Sequence, residues 1–367
     1  MHRPLCALPL VVCAAALPAH ADWTFTVLHP YPAGDSAGQA AFGPGLTAGY
    51  AGATGFSDHH AALWTGDSPA DFLDLHPAGF AASRINRSSG TQHVGHAVMA
   101  NGNFRAGVWL GDSADTFVNL HPGGGPISYA LGTDGQRQVG FVESRQGVRT
   151  AYMWSGSADS AVSLHPAGAG HSQAFDIGGG RQVGYVEHVF SASGGYWEGD
   201  AESWTPLLAP SDGFAGTFTN CISPDGRQQG GFAVSRISGV NWAAIWEGST
   251  DTFRSLHPDP SLIGSTILDT DGTYQVGYTI HFGQFAAIWS GTAESYQSLH
   301  AALPDYYNSS HAYGVFADEQ GLWVAGSASN TDAGRWEAVV WHLPVPAPAS
   351  PIALCAGLLA ATHRRRR

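Results

Sequence analysis

The stretch HSQAFDIGGGRQVGYVEHVFSASGGYWEGDAESWTPLLAP, residues 171–210, reads as four short strands and their turns. His171 to Ile177 forms a first strand, and Gly178-Gly179-Gly180 turns the chain. Gln182 to Val186 is a second strand, Gly195-Tyr196-Trp197 a third, and Ser203 to Leu208 a fourth. The second strand returns as Gln138-Val139-Gly140-Phe141 and as Gln275-Val276-Gly277-Tyr278. The first turn carries Asp134-Gly135, Asp225-Gly226 and Asp271-Gly272 in other units, dipeptides suited to the positive φ of tight hairpins. Four antiparallel strands per unit make one blade of a β-propeller.

Outward from this unit, two anchors recur. Trp64, Trp109, Trp154, Trp197, Trp246, Trp289 and Trp341 are spaced by 45, 45, 43, 49, 43 and 52 residues. Leu28, Leu75, Leu120, Leu164, Leu208, Leu256 and Leu299 follow, mostly as Leu-His-Pro. A period near 45 residues signals stacked supersecondary units. The first Leu-His-Pro has no Trp before it, and Trp341 has no Leu-His-Pro after it. Those half-repeats complete each other, as a closed ring requires and a β-solenoid does not. The expectation is an all-β, seven-bladed propeller over residues 22–343, closed by Phe25 to Leu28 as the outer strand of the last blade.

Composition agrees with short strands. The 367 residues include 48 Gly and no Lys, 44% are hydrophobic and 12% charged. Residues 1–21 read as a secretory signal: Arg3, the apolar run Leu5 to Leu17, then Ala19-His20-Ala21. Cys221 is then the only cysteine of residues 22–343, so packing must hold the fold. Residues 344–367 form a Pro/Ala stretch, a short apolar run from Ile352 to Ala361, and Arg364, Arg365, Arg366 and Arg367. The formal charge is −13, and it reaches −18 once Arg3 and the four terminal Arg are removed. A body of that charge does not bind nucleic acid through its overall field.

The order of parts in the tail resembles the PEP-CTERM sorting signal. That resemblance implies an exosortase-type processing enzyme as partner, and a cell-surface or matrix destination in a Gram-negative bacterium. The motif departs at Val345-Pro346-Ala347-Pro348, where the family usually has Glu between the prolines. The alternative is a plain C-terminal membrane anchor. The repeats resemble the HAF family of extracellular repeats through Ala174-Phe175, Gln182-Val183-Gly184 and Ala287-Ile288-Trp289. The resemblance implies secretion and a repeat fold, and it assigns no activity.

Chemistry-bearing residues need weighing against structural roles. His29, His76, His121, His165, His257 and His300 occupy equivalent positions, with Ala209 in the remaining unit. Equivalent positions in different blades lie too far apart to share a metal. By analogy with WD-repeat propellers, these His are expected to bond inward toward the third-strand Trp. The seven Trp are expected to pack between blades. Gly170-His171-Ser172-Gln173-Ala174 mimics a nucleophile elbow but enters a strand with no helix following. Asp269-x-Asp271-Gly272 mimics a calcium loop but lacks the later ligands. No cofactor or metal is implied.

The two faces of the ring differ. One collects the loops between second and third strands and the blade-to-blade loops; the other collects the remaining turns. The turn face gathers Asp71, Asp115, Asp159, Glu202, Asp251 and Glu294, with Asp134, Asp225, Asp271 and Asp318. The loop face gathers Arg105, Arg145, Arg149, Arg236 and Arg335, with Trp242, Tyr306 and Tyr307. Variable polar and aromatic loops on a rigid scaffold suit binding. The expected role is a binding or matrix-associated module, for which acidic polysaccharide is the candidate partner. Guanidinium groups would pair with its carboxylates and rings would stack on its sugars. Two alternatives stand beside it: a structural envelope protein without ligand, and a glycan hydrolase or lyase using Glu143, Glu187, Asp332 or Glu337.

Overall fold

The computed structural model describes residues 22–54, 58–188 and 191–344. The signal segment and the sorting residues Val345, Pro346, Pro348 and Arg364 to Arg367 lie outside the described residues. Among those described, no helix is long and apolar enough to cross a membrane.

Seven four-stranded antiparallel sheets follow one another along the chain. In blade 4, the quoted stretch, the strands are His171–Gly178, Arg181–His188, Ser191–Trp197 and Thr205–Pro206. The outer strand is thus shorter than expected. Gly135, Gly226 and Gly272 have φ of 88°, 77° and 96° in the expected Asp-Gly turns. Blade 7 takes three strands from Tyr307–Ala317, Gly321–Asn330 and Arg335–Pro344, and its outer strand from Thr24–Val27. The closing register pairs Phe25 with Trp341 and Val27 with Val339. A ring closed this way leaves no free edge on that blade.

The repeated residues have local physical causes. The Gln opening the second strand accepts the N–H of the Gly two residues after Trp. Gln138 to Gly156, Gln182 to Gly199, Gln229 to Gly248 and Gln275 to Gly291 are all 2.8 Å. Every inner strand carries a β-bulge, and the second-strand Gly sits opposite it. A Cβ on Gly140 or Gly184 would land against the carbonyl oxygen of Tyr129 or Gln173, so only glycine fits.

All seven anchor Trp are fully buried. Each packs back onto the preceding blade. Trp197 of blade 4 lies with Val139, Ala151 and Leu164 of blade 3, and the Trp109 indole N–H donates to Leu75 O at 2.8 Å.

Two expectations change. In blade 4 the buried anchor is Leu207, whose N–H donates to Gly194 O at 2.8 Å, as Leu164 N–H does to Ala151 O; Leu208 is 45% exposed. The tandem Leu-Leu offered two registers, and the backbone bond selects the first. The Leu-His-Pro histidines do not bond to Trp. His76, His121, His165 and His257 each place Nδ1 at 2.7–2.9 Å from Ser83, Ser128, Ser172 and Ser265 on the next blade's inner strand. His29 pairs with Ser36 and His300 with Ser310 in the same way. Each Ser Oγ also accepts a third-strand N–H of the preceding blade, for example Ala106 to Ser128 and Ala151 to Ser172, both 2.9 Å. The Nε2 of His165 faces Ala169 O at 3.2 Å, so Nε2 carries the proton and Nδ1 accepts from Ser172. At the boundary after blade 4, Thr217 on the inner strand of blade 5 takes the Ser position and donates to Leu207 O at 2.6 Å.

Candidate functional site

Each inner strand runs from the loop face to the turn face and lines the channel. The residue after the stapling Ser therefore sits near the loop-face mouth. Around the ring these are Ala37, Arg84, Tyr129, Gln173, Phe218, Thr266 and His311. The second-strand residues paired with them are Tyr50, His96, Phe141, Tyr185, Phe232, Tyr278 and Ser327. Two strand periodicities thus bring one belt of rings to one end of the channel. Tyr50, Tyr129, Tyr185, Phe218, Phe232, Tyr278 and His311 are all half-buried.

The belt is continuous across several blade boundaries. Arg84 lies 4.3 Å over the Tyr50 ring and also bonds His59 Nδ1. Tyr129 meets His96 at 4.6 Å and Phe141 at 5.1 Å. Tyr185 meets Phe218 at 5.1 Å, and Tyr278 meets His311 at 5.1 Å. Trp336 stacks on His311 at 5.2 Å with an interplanar angle of 9°. Burial holds His96 at about 3 and His311 at about 4, so both are neutral at physiological pH.

The structure disperses the sequence-read loop residues. Arg149 joins the belt: it is 2.8 Å from Glu143 and 5.2 Å over the Phe141 ring. Arg145, in the same hairpin, is exposed. Arg105 is bound to the carbonyls of Phe104 and Pro126, and Arg236 to those of Ser211 and Phe214. Arg335 is held by Glu337 at 2.7 Å and by Pro32 O at 2.6 Å. Trp242 stacks on His257 at 4.7 Å, and Tyr306 is 39% exposed. Tyr307 is withdrawn from solvent at 3% exposure, its hydroxyl donating to Glu337 at 2.7 Å. These four committed or buried groups are loop braces.

The four carboxylates weighed for catalysis are spread over three blades: Glu143 on blade 3, Glu187 on blade 4, and both Asp332 and Glu337 on blade 7. Burial raises the Glu337 carboxyl, but hydrogen bonds from Tyr307, Asn330 and Arg335 outweigh it and leave the group below its ordinary value. A general acid needs the opposite shift. Among the described residues, no three His, Cys, Asp or Glu are grouped to hold a metal ion.

Below the belt the channel is plugged. Arg87 Nη1 lies 3.0 Å from Asp269, and Nη2 lies 3.5 Å from Asp176. All three occupy the same inner-strand position, just after the bulge, where other blades carry Ala40, Gly132, Cys221 or Gly314. Backbone N–H groups of the next blade complete the pair: Asp176 Oδ2, the oxygen facing Arg87, also accepts from Ile222 at 3.1 Å, and Asp269 accepts from Val315 at 2.9 Å through Oδ2, the oxygen turned away from Arg87. Burial pushes Asp176 up to about 6 against the opposing pull of Arg87. The pattern was readable only by aligning the seven inner strands. The belt had a plainer signal: an aromatic or His three residues after the strand-opening position, as in Gln182 to Tyr185.

No protein-family profile and no curated protein matches the chain. Solved structures do resemble it. The β-propeller domain of the Trilobed protease from Pyrococcus furiosus aligns over 91% of this chain and 99% of its own, with TM-score 0.53 at 11% identity. Oligogalacturonate lyase from Vibrio parahaemolyticus aligns over 90% and 99%, with TM-score 0.53 at 12% identity. Acylaminoacyl peptidase from Pyrococcus horikoshii aligns over 80% of this chain and 50% of its own, with TM-score 0.50 at 11% identity. At such identities the likeness shows the fold alone.

Proposed function

We propose that the chain is an exported binding module whose loop-face channel mouth holds acidic polysaccharide at the cell surface. The observation that carries this reading is the belt of half-buried rings with Arg84 and Arg149 among them. Rings offer flat apolar faces to sugar C–H groups, and guanidinium groups answer sugar carboxylates. The belt comes from strands, which hold it more rigidly than loops would. The plug beneath it gives the site a floor.

Retention of the purified protein on acidic polysaccharide extracted from the producing cell tests this reading. Retention at low salt and release at high salt are expected, because the guanidinium contacts are solvent-facing. The pair Arg145→Ala and Arg149→Ala is expected to weaken retention by about tenfold. Equal retention of that variant, or no retention at either salt, would refute the assignment.

A further inference from the structure

On the turn face the channel opens as a separate cavity of about 1100 Å³. Its wall is mixed. Ile177, Ile222, Val315 and Phe316 supply apolar surface, while Asp134, Asp176, Asp269, Asp271, Asp318 and Glu319 supply six carboxylates. Arg87 is the one cation among the lining residues, and it is already engaged by Asp176, Asp269 and the carbonyls of Leu268 and Tyr313. Arg137, at the rim, answers Asp134 at 2.9 Å. Six carboxylates against those two guanidinium groups leave four negative charges unanswered.

Each class of occupant can be judged by that lining. An anion meets like charge. A purely apolar molecule strips water from the carboxylates without replacing it. A bare metal ion leaves most of the volume unused and lacks a cluster of three ligating groups among the described residues. A molecule that alternates ammonium groups with methylenes matches both parts of the wall. The rim carboxylates are spread over three blades: Asp134 on blade 3, Asp271 on blade 6, and Asp318 with Glu319 in one turn of blade 7. Charges spaced around a ring suit several linked cations better than one. We propose that this mouth is a second ligand site, distinct from the loop-face site, and that it takes a linear alkyl polyamine.

Calorimetric titration of the purified protein with spermidine at low salt tests it. One saturable site is expected. Asp271→Asn with Asp318→Asn is expected to weaken it by about tenfold, since each Asn keeps the acceptor oxygen of its turn and loses only charge. Two controls separate this site from its surroundings. Asp115→Asn with Asp159→Asn removes equal charge from outer turns of the same face, and Arg149→Ala alters only the loop face. Both are expected to bind spermidine as the parent does. Should the double variant of the mouth fail to fold, the exposed Glu319→Gln carries the test, with weaker binding expected. The proposal is overturned by the absence of saturable binding, or by outer-turn variants that weaken it as much as the mouth variants.

Discussion

Ser172 makes two hydrogen bonds across one blade boundary, to Ala151 N–H at 2.9 Å and to His165 Nδ1 at 2.7 Å. Removing its hydroxyl leaves the buried Ala151 amide and His165 Nδ1 without their side-chain partner. Ser172→Ala is therefore expected to cost about 1 to 3 kcal/mol in urea unfolding. The histidines add a pH dependence. Burial holds His29, His76, His257 and His300 below 6.5, and it holds His59 and His311 at about 4. Below 6.5 the unfolded chain takes up protons that the folded chain refuses. Stability is then full above 6.5, falls as pH drops below it, and levels once the folded values are passed. Urea midpoints across that range read this directly; a flat profile would contradict it. The Leu-His-Pro repeat announced a structural role for these residues. It hid the partner, because a Ser seven residues later is unremarkable in a chain rich in Ser, and the spacing stretches from His300 to Ser310.

At the scale of the strand, the Gln-Val-Gly signal and the Asp-Gly turns were legible because both are local. The bulge was not, because it belongs to the pairing of two strands. Its trace is the Gly opposite it. Gly140→Ala forces a methyl group against the Tyr129 carbonyl and is expected to cost about 1 to 3 kcal/mol. Gly147→Ala in the nearby exposed hairpin is strained by its φ of 81° alone and should cost less. The plug is read the same way. Arg87→Leu leaves Asp176 and Asp269 without their buried cation, and a loss of about 3 to 5 kcal/mol is expected. The loop face illustrates the converse. Its Arg residues were visible in the sequence, but whether a guanidinium is free or bound to a carbonyl, as in Arg105 and Arg236, depends on the packing of distant loops.

For the whole molecule, ring closure was legible from the phase of the repeats, because half-repeats at two ends have only each other to pair with. Deleting residues 22–28 removes the outer strand of blade 7 and uncovers the edge of Arg335–Pro344. A lower melting temperature and self-association are expected, read by calorimetry and light scattering. The two mouths of the channel, closed from each other by Arg87, Asp176 and Asp269, give the ring two chemically opposite ends. One is aromatic with guanidinium, the other acidic with an apolar wall. The central claim is that polysaccharide sits on the first. Hydroxyl-radical footprinting of the protein with and without that polysaccharide tests it residue by residue. The account predicts protection of Tyr129, Tyr185 and Tyr278, with Tyr274 at the opposite mouth unchanged. Protection of Tyr274, or of none of these rings under conditions where retention is measured, would contradict it.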